Sequence, residues 1–265
     1  MRKALSILLI FVPIILISQQ KHGPQGNGTH RIMSYNIRNA KGMDGVTDYS
    51  RIATVINNAK PEVVAIQEVD SMTTRNNRYV LGDLANMTGM HATFSAAIPF
   101  QGGKYGIGIL SKEKPISVIR LQLPGSEEPR ALLIAEFENY VLCCTHLSLT
   151  KKDAEESVDI INGAVARCNF KGKGNKPILL AGDFNVEPDS PTINILSKSW
   201  TTLSNTDILT FPSDTPNRTI DYIMGYTANG TKTNYVVHKY EVIEEKMASD
   251  HRPLLINISF ERVKQ

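Results

Sequence analysis

The stretch Ile178-Leu179-Leu180-Ala181-Gly182-Asp183-Phe184-Asn185 constrains the fold more than any other part of the chain. Four apolar residues in a row after Pro177 leave no polar face for solvent, which predicts a strand buried on both sides. Gly182 then frees the backbone to turn, and alternation along an extended chain sends Asp183 and Asn185 to the same side. A dry strand thus ends by delivering a carboxylate and an amide to one place. A turn in which Asp183 caps backbone N–H groups and Asn185 satisfies others accounts for the same residues. The endings of the other strands decide between the two.

Residues 32–37 read as a strand, and Ile52, Val55 and Ile56 mark a helical stripe over 49–60 that Pro61 stops. A second buried strand follows at 63–69, apolar until it ends in Glu68. After a helix around 78–88 come strands at 91–98, 105–111 and 115–123, broken by Gly, Pro and Lys. Residues 131–137 and 140–146 form a hairpin across Glu138-Asn139, and its second strand closes in Thr145-His146. Val158, Ile161, Val165 and Cys168 recur at helical spacing within 151–170, with Asp153, Glu155 and Glu156 in the first turns, where the helix dipole favours them. A short helix starts near Ser190-Pro191, and the last strands cover 220–224, 235–243 and 253–260. Strands outnumber helices and the helices are scattered among them. That predicts an α/β domain of two packed sheets with helices on the outer faces, spanning 31–262.

The N-terminus is different in kind. Arg2 and Lys3 precede an uncharged run from Ala4 to Ile17, a run too short to span a bilayer comfortably. This is the layout of a secretory signal over 1–18, followed by a linker-like 19–30, and it predicts a periplasmic or extracellular protein. Without Arg2 and Lys3 the 29 basic residues become 27, against 26 acidic ones. So balanced a chain lacks the basic excess of a protein that holds long nucleic acid through its phosphates. The 3 cysteines, Cys143, Cys144 and Cys168, have neither the pairing of a disulfide framework nor the spacing of a zinc site, and packing in the interior is their expected role.

The strand ends and the loops beside them collect Asn36, Glu68, His146, Asp183, Asn185, Asp221, Asp250 and His251. Oxygen donors without cysteine suit a hard divalent cation such as Mg²⁺ or Mn²⁺, and the two histidines add groups that carry protons near neutral pH. Phosphoester hydrolysis is the reaction such parts serve best. Each residue has a plainer use: Glu68 in an ion pair, Asp250-His251 as a turn cap, His146 as a satisfied core histidine. Arg130 and Tyr105 are equally open between the site and ordinary strand surface, and Lys104 and His91 read as surface groups.

In order and wording, Tyr35-Asn36, Gln67-Glu68-Val69, Thr145-His146-Leu147, Gly182-Asp183-Phe184-Asn185, Ile220-Asp221-Tyr222-Ile223 and Ser249-Asp250-His251 resemble the motifs of the endonuclease/exonuclease/phosphatase superfamily. This group includes DNase I-like nucleases, abasic-site endonucleases, neutral sphingomyelinases and inositol-phosphate phosphatases. The resemblance implies a four-layer α/β/β/α sandwich with two mostly antiparallel sheets face to face, and a divalent metal at the edge where strands converge. It makes Glu68 the main metal carboxylate, with Asn36 beside it and Asp250 joining the shell directly or through water. Asp183 becomes the group that orients or deprotonates the attacking water, with Asn185 as its positioning partner. By the same resemblance His251 contacts the scissile phosphate and Asp221 fixes its tautomer, while His146 stabilises the phosphate or protonates the leaving oxygen.

Thr145-His146 and Gly-Asp-Phe-Asn depart from the abasic-site endonucleases, and the basic substrate motifs of the inositol phosphatases are missing. The expected substrate is a phosphoester in a nucleic acid, a phospholipid head group or a small phosphorylated metabolite. The expected form is a monomer without an obligate protein partner. A secreted DNase I-type nuclease, a sphingomyelinase-like hydrolase and a catalytically silent binding module are the alternatives.

Overall fold

The structure is a computed structural model that describes residues 28–168, 176–228 and 233–262. The expected signal, most of the expected linker and the expected last residues of the long helix lie outside them.

Two six-stranded sheets are built on one plan. In the first, β1 (His30–Asn36) runs through helix α1 (Tyr49–Ala59) into β2 (Val63–Ser71), which pairs with it in parallel. Helix α2 (Val80–Thr88) follows, then β3 (His91–Phe100) and β4 (Gly103–Ser111), which extend the sheet beyond β2 in antiparallel fashion. The second sheet opens with β5 (Ser117–Leu123), β6 (Arg130–Glu136) and β7 (Val141–His146), all antiparallel. Helix α3 (Lys151–Arg167) carries the chain to β8 (Ile178–Asp183), parallel to β7. After α4 (Pro191–Leu196), β9 (Trp200–Thr202) and β10 (Asp221–Tyr226) close that sheet. The chain then returns to the first sheet as β11 (Thr233–Val242) and β12 (Leu254–Arg262), the latter against β1. Each sheet is thus antiparallel except for one central parallel pair, in line with the sandwich expected from the motifs.

Side-chain alternation along the strands sorts the apolar residues into three layers. Between the sheets lie Ile32, Ala65, Leu133, Cys144, Leu179, Ala181 and Ile256. The outward residues of the first sheet, among them Met33, Val64 and Ile66, pack against Ile52, Ile56, Leu81 and Leu84 of α1 and α2. Those of the second sheet, including Cys143, Leu180 and Tyr222, pack against Val158 and Ile161 of α3. The run 178–181 is therefore buried from both sides, as its composition requires.

Several expectations need correcting. Gly182 does not turn the chain but stays extended in β8, where any Cβ would collide with the carbonyl of Thr145 on β7; close strand approach is its reason. Glu68 does not end β2 but sits at a bulge within it, where the register with β4 shifts between Ile66 and Val69. Cys168 is only partly buried at the C-cap of α3. The three-residue β9 is too short to show a periodicity in the sequence; Trp200 anchors it by donating from Nε1 to Asn162 Oδ1 at 2.7 Å.

Candidate active site

The parallel pairs β1–β2 and β7–β8 bring their C-terminal ends to one edge, so four strands deposit side chains together. Asn36, fully buried at the end of β1, donates from Nδ2 to Glu68 Oε1 and to Asp183 Oδ2, both at 3.0 Å. Its own Oδ1 accepts the backbone N–H of Arg38 at 3.0 Å. One amide thus ties the carboxylate of the first sheet to that of the second.

Asp183 is the hub. Its Oδ1 accepts the backbone N–H of Asn185 at 2.9 Å, and its Oδ2 faces Nε2 of both His146 and His251 at 3.5 Å. Burial raises its pKa, against the pull of the two histidines and the Asn36 amide. Asn185 holds a left-handed backbone, φ 56°, and its Nδ2 donates to the Leu147 carbonyl at 3.0 Å, which fixes the amide at the cleft wall.

The two histidines are held in opposite charge states. Arg130 Nη1 lies 3.4 Å from His146 Nδ1, and since a guanidinium only donates, Nδ1 accepts and the ring proton sits on Nε2, facing Asp183. Burial lowers the His146 pKa to about 4 and outweighs the attraction of Asp183, with Arg130 adding to the fall. His251 donates from Nδ1 to Asp221 at 3.0 Å. Burial acts downward on it too, but Asp221 and Asp183 overcome that and raise its pKa to about 10. At neutral pH His251 is an imidazolium and His146 a neutral donor.

These groups line a cleft of about 370 Å³, with Glu68 and Asp250 facing into it. Tyr105 lines the cleft beside Glu68, and Arg38 holds Asp250 through Nε at 3.2 Å. All eight residues singled out from the sequence gather around this cleft. Arg130 and Tyr105, open in the sequence, line it as well. Glu128, Phe211 and Arg218 also line it, and sequence reasoning misses all three. For Glu128 a signal exists: β6 runs antiparallel to β7, so residues just before β6 must lie beside His146. Phe211 and Arg218 sit in a loop without periodicity.

A divalent cation fits the donor set. Among the described residues one group, Asp183, Asp221 and His251, brings potential ligand atoms within 4.8 Å of one another. Asp221 and His251 are committed to each other, however, and a protonated imidazole has no lone pair for a metal. Glu68 and Asp250, next to the Asn36 amide, are cleft carboxylates not tied to a histidine, and their oxygens suit a hard cation.

The sequence matches the profile of the Endonuclease/Exonuclease/phosphatase family over residues 33–251. Comparison with curated proteins finds no match. Among solved structures, an endonuclease/exonuclease/phosphatase from Beutenbergia cavernae is 21% identical, with a TM-score of 0.67 over 87% of this chain and 71% of that one. An endonuclease/exonuclease/phosphatase family protein from Bacteroides thetaiotaomicron is 18% identical, with a TM-score of 0.70 over 89% of this chain and 100% of that one. A mannosyl-6-phosphatase from the same organism is 18% identical, with a TM-score of 0.66 over 86% and 99%.

Proposed function

From the premise that this chain belongs to the endonuclease/exonuclease/phosphatase family, whose members hydrolyse phosphoesters, we propose an exported, divalent-metal-dependent phosphoester hydrolase acting on a small phosphorylated molecule. The observation that carries the reading is Asp183, a buried carboxylate of raised basicity fixed by Asn36 and Asn185 between one neutral and one charged histidine. Mg²⁺ or Mn²⁺ held by Glu68 and Asp250, with Asn36 beside them, would supply Lewis-acid polarisation of a phosphate oxygen.

The chain's own groups do the rest. Asp183 accepts a proton from the attacking water while Asn185 holds that water in line. His251, charged and aimed by Asp221, donates from Nε2 to a phosphate oxygen as negative charge builds there. As the P–O bond to the leaving group breaks, His146 donates a hydrogen bond from its neutral Nε2–H to the leaving oxygen; with a pKa near 4 it is not itself the acid at neutral pH, and that oxygen takes its proton from solvent. Arg130 holds it in that tautomer.

Two observations favour a small substrate. The cleft volume of about 370 Å³ suits a metabolite-sized ligand, and the balanced overall charge offers no extended track for a polynucleotide. The mannosyl-6-phosphatase that shares this fold acts on a substrate of that size class. A silent binding module is disfavoured because every residue the chemistry needs is present and brought together.

The test is turnover by the purified chain across sugar phosphates, nucleotides, inositol phosphates, sphingomyelin, DNA and RNA, with EDTA and after Mg²⁺ is added back. Hydrolysis of a small phosphoester that EDTA abolishes and Mg²⁺ restores is expected; hydrolysis indifferent to EDTA, or none at all, contradicts the reading. Export rests on the segment 1–18, and N-terminal sequencing of protein recovered outside the cytoplasm tests it, with residues 1–18 absent if the signal is cleaved. Among the described residues no helix is long and apolar enough to cross a membrane.

A further inference from the structure

We infer that Arg218 is a specificity-determining residue that binds a second anionic group on the substrate, away from the phosphate being cleaved. The inference rests on the proposed phosphoester chemistry and deepens it. The guanidinium of Arg218 lies at the cleft, 4.9 Å from the centre of the Phe211 ring, and that ring lies 4.7 Å from the His251 imidazole. Two ring-sized steps therefore separate it from the group that faces the scissile phosphate.

Three features set Arg218 apart from the other arginines nearby. The first is that its charge is free. Arg130 is paired with Glu127 and Glu128, Arg38 with Asp250, and Arg75 with Asp70. Among the described residues Arg218 makes no ion pair, and none of its five N–H donors has a protein acceptor. Second, it is pre-positioned. Residues 211 and 218 form a β-bridge in which Arg218 N–H donates to the Phe211 carbonyl at 3.0 Å and Phe211 N–H to the Arg218 carbonyl at 3.1 Å. The guanidinium lies over the Phe211 ring, which restricts where the side chain can go. Third, it supports nothing else: the residue is exposed and belongs to no apolar layer.

An exposed fork of N–H donors held on an aromatic ring suits a phosphate, which it can grip with two parallel hydrogen bonds, and a carboxylate next. Glu128 also lines the cleft, in an ion pair with Arg130 at 3.3 Å. The charge of Arg130 is thereby met within the protein, and among the described residues Arg218 is the guanidinium at the cleft without a carboxylate partner. The substrate class is a small molecule bearing a phosphoester and, across its length, a second phosphate or carboxylate.

The experiment compares kcat/KM for paired substrates in wild type and in Arg218→Ala and Arg218→Lys, all with Mg²⁺. One pair is hexose 1,6-bisphosphate against hexose 6-phosphate; another sets a phosphorylated hydroxy acid against its amide, so that phosphate and carboxylate are distinguished. Wild type should prefer the doubly anionic member of at least one pair by 10-fold or more, mainly through KM. Arg218→Ala should bring that ratio close to one, and Arg218→Lys should restore part of it. No preference in wild type, or a ratio that Arg218→Ala leaves intact, overturns the assignment. If no phosphoester is turned over the proposed function fails instead. Calorimetric binding of hexose 1,6-bisphosphate against hexose 6-phosphate to the Mg²⁺-loaded protein then judges Arg218 on the same ratio.

Discussion

His146 and His251 face the same oxygen of Asp183 yet titrate in opposite directions, and the metal-free protein should show both in its stability. The folded pKa of His146 lies near 4, below its ordinary 6.5, so the unfolded chain takes up the proton first. The stability it supports is complete above about 6.5 and is lost as pH falls toward 4, on the order of 3 kcal/mol at most. The folded pKa of His251 lies near 10, so its contribution is complete below 6.5 and is lost as pH rises through 10. Urea unfolding from pH 4 to 10 should trace a dome, and His146→Gln should flatten its acid side; an unchanged acid slope in that variant contradicts the assignment. Glu68 carries a different signature, a left-handed backbone at φ 62° that costs a non-glycine residue roughly 1 kcal/mol or more. Glu68→Gly should therefore raise stability by about 1 kcal/mol while abolishing Mg²⁺ binding measured by calorimetry. A destabilised variant that still binds Mg²⁺ would show that neither the strain nor the carboxylate matters.

At the level of elements, the site is made by strand ends and by breaks in strand regularity. Asn36, His146 and Asp183 close β1, β7 and β8, and Asp221 opens β10 directly opposite Asp183. Those endings are legible in the sequence because burying a carboxylate or an imidazole at the end of an apolar run is costly unless the group is paired or put to use. The β2 bulge is not legible, since Glu68 follows Gln67 without any Gly or Pro to announce it. Positive φ values occur at Glu68 and Asn185, which line the cleft, and at Arg38, which holds Asp250, so backbone strain is stored where it aims side chains. The loop bearing Phe211 and Arg218 is also opaque, because its conformation comes from a bridge between its own ends rather than from any pattern. The contact between β7 and β8 gives a sharp prediction. Gly182→Ala forces a methyl group into the Thr145 carbonyl and should destabilise the protein by about 1–3 kcal/mol, with activity falling as His146 and Asp183 separate. Denaturant melts beside kcat measure both, and a variant as stable as wild type would show that the strands have room.

Across the whole molecule, one sandwich brings opposed charges into a single cleft. Glu68, Glu128, Asp183 and Asp250 line it against Arg130, Arg218 and the charged His251. This balance is unfavourable for a phosphate dianion until a divalent cation reverses it. Mg²⁺ should therefore raise the melting temperature and be required for substrate binding as well as turnover, and tight phosphate binding in EDTA would argue against that. The central claim is that Asp183 activates the water while the other groups hold metal and phosphate. Its most direct test is kcat of Asp183→Asn with saturating Mg²⁺ on the best small phosphoester, in protein shown to be folded. A fall of about 100-fold or more is predicted, and a kcat within about threefold of wild type would contradict the account.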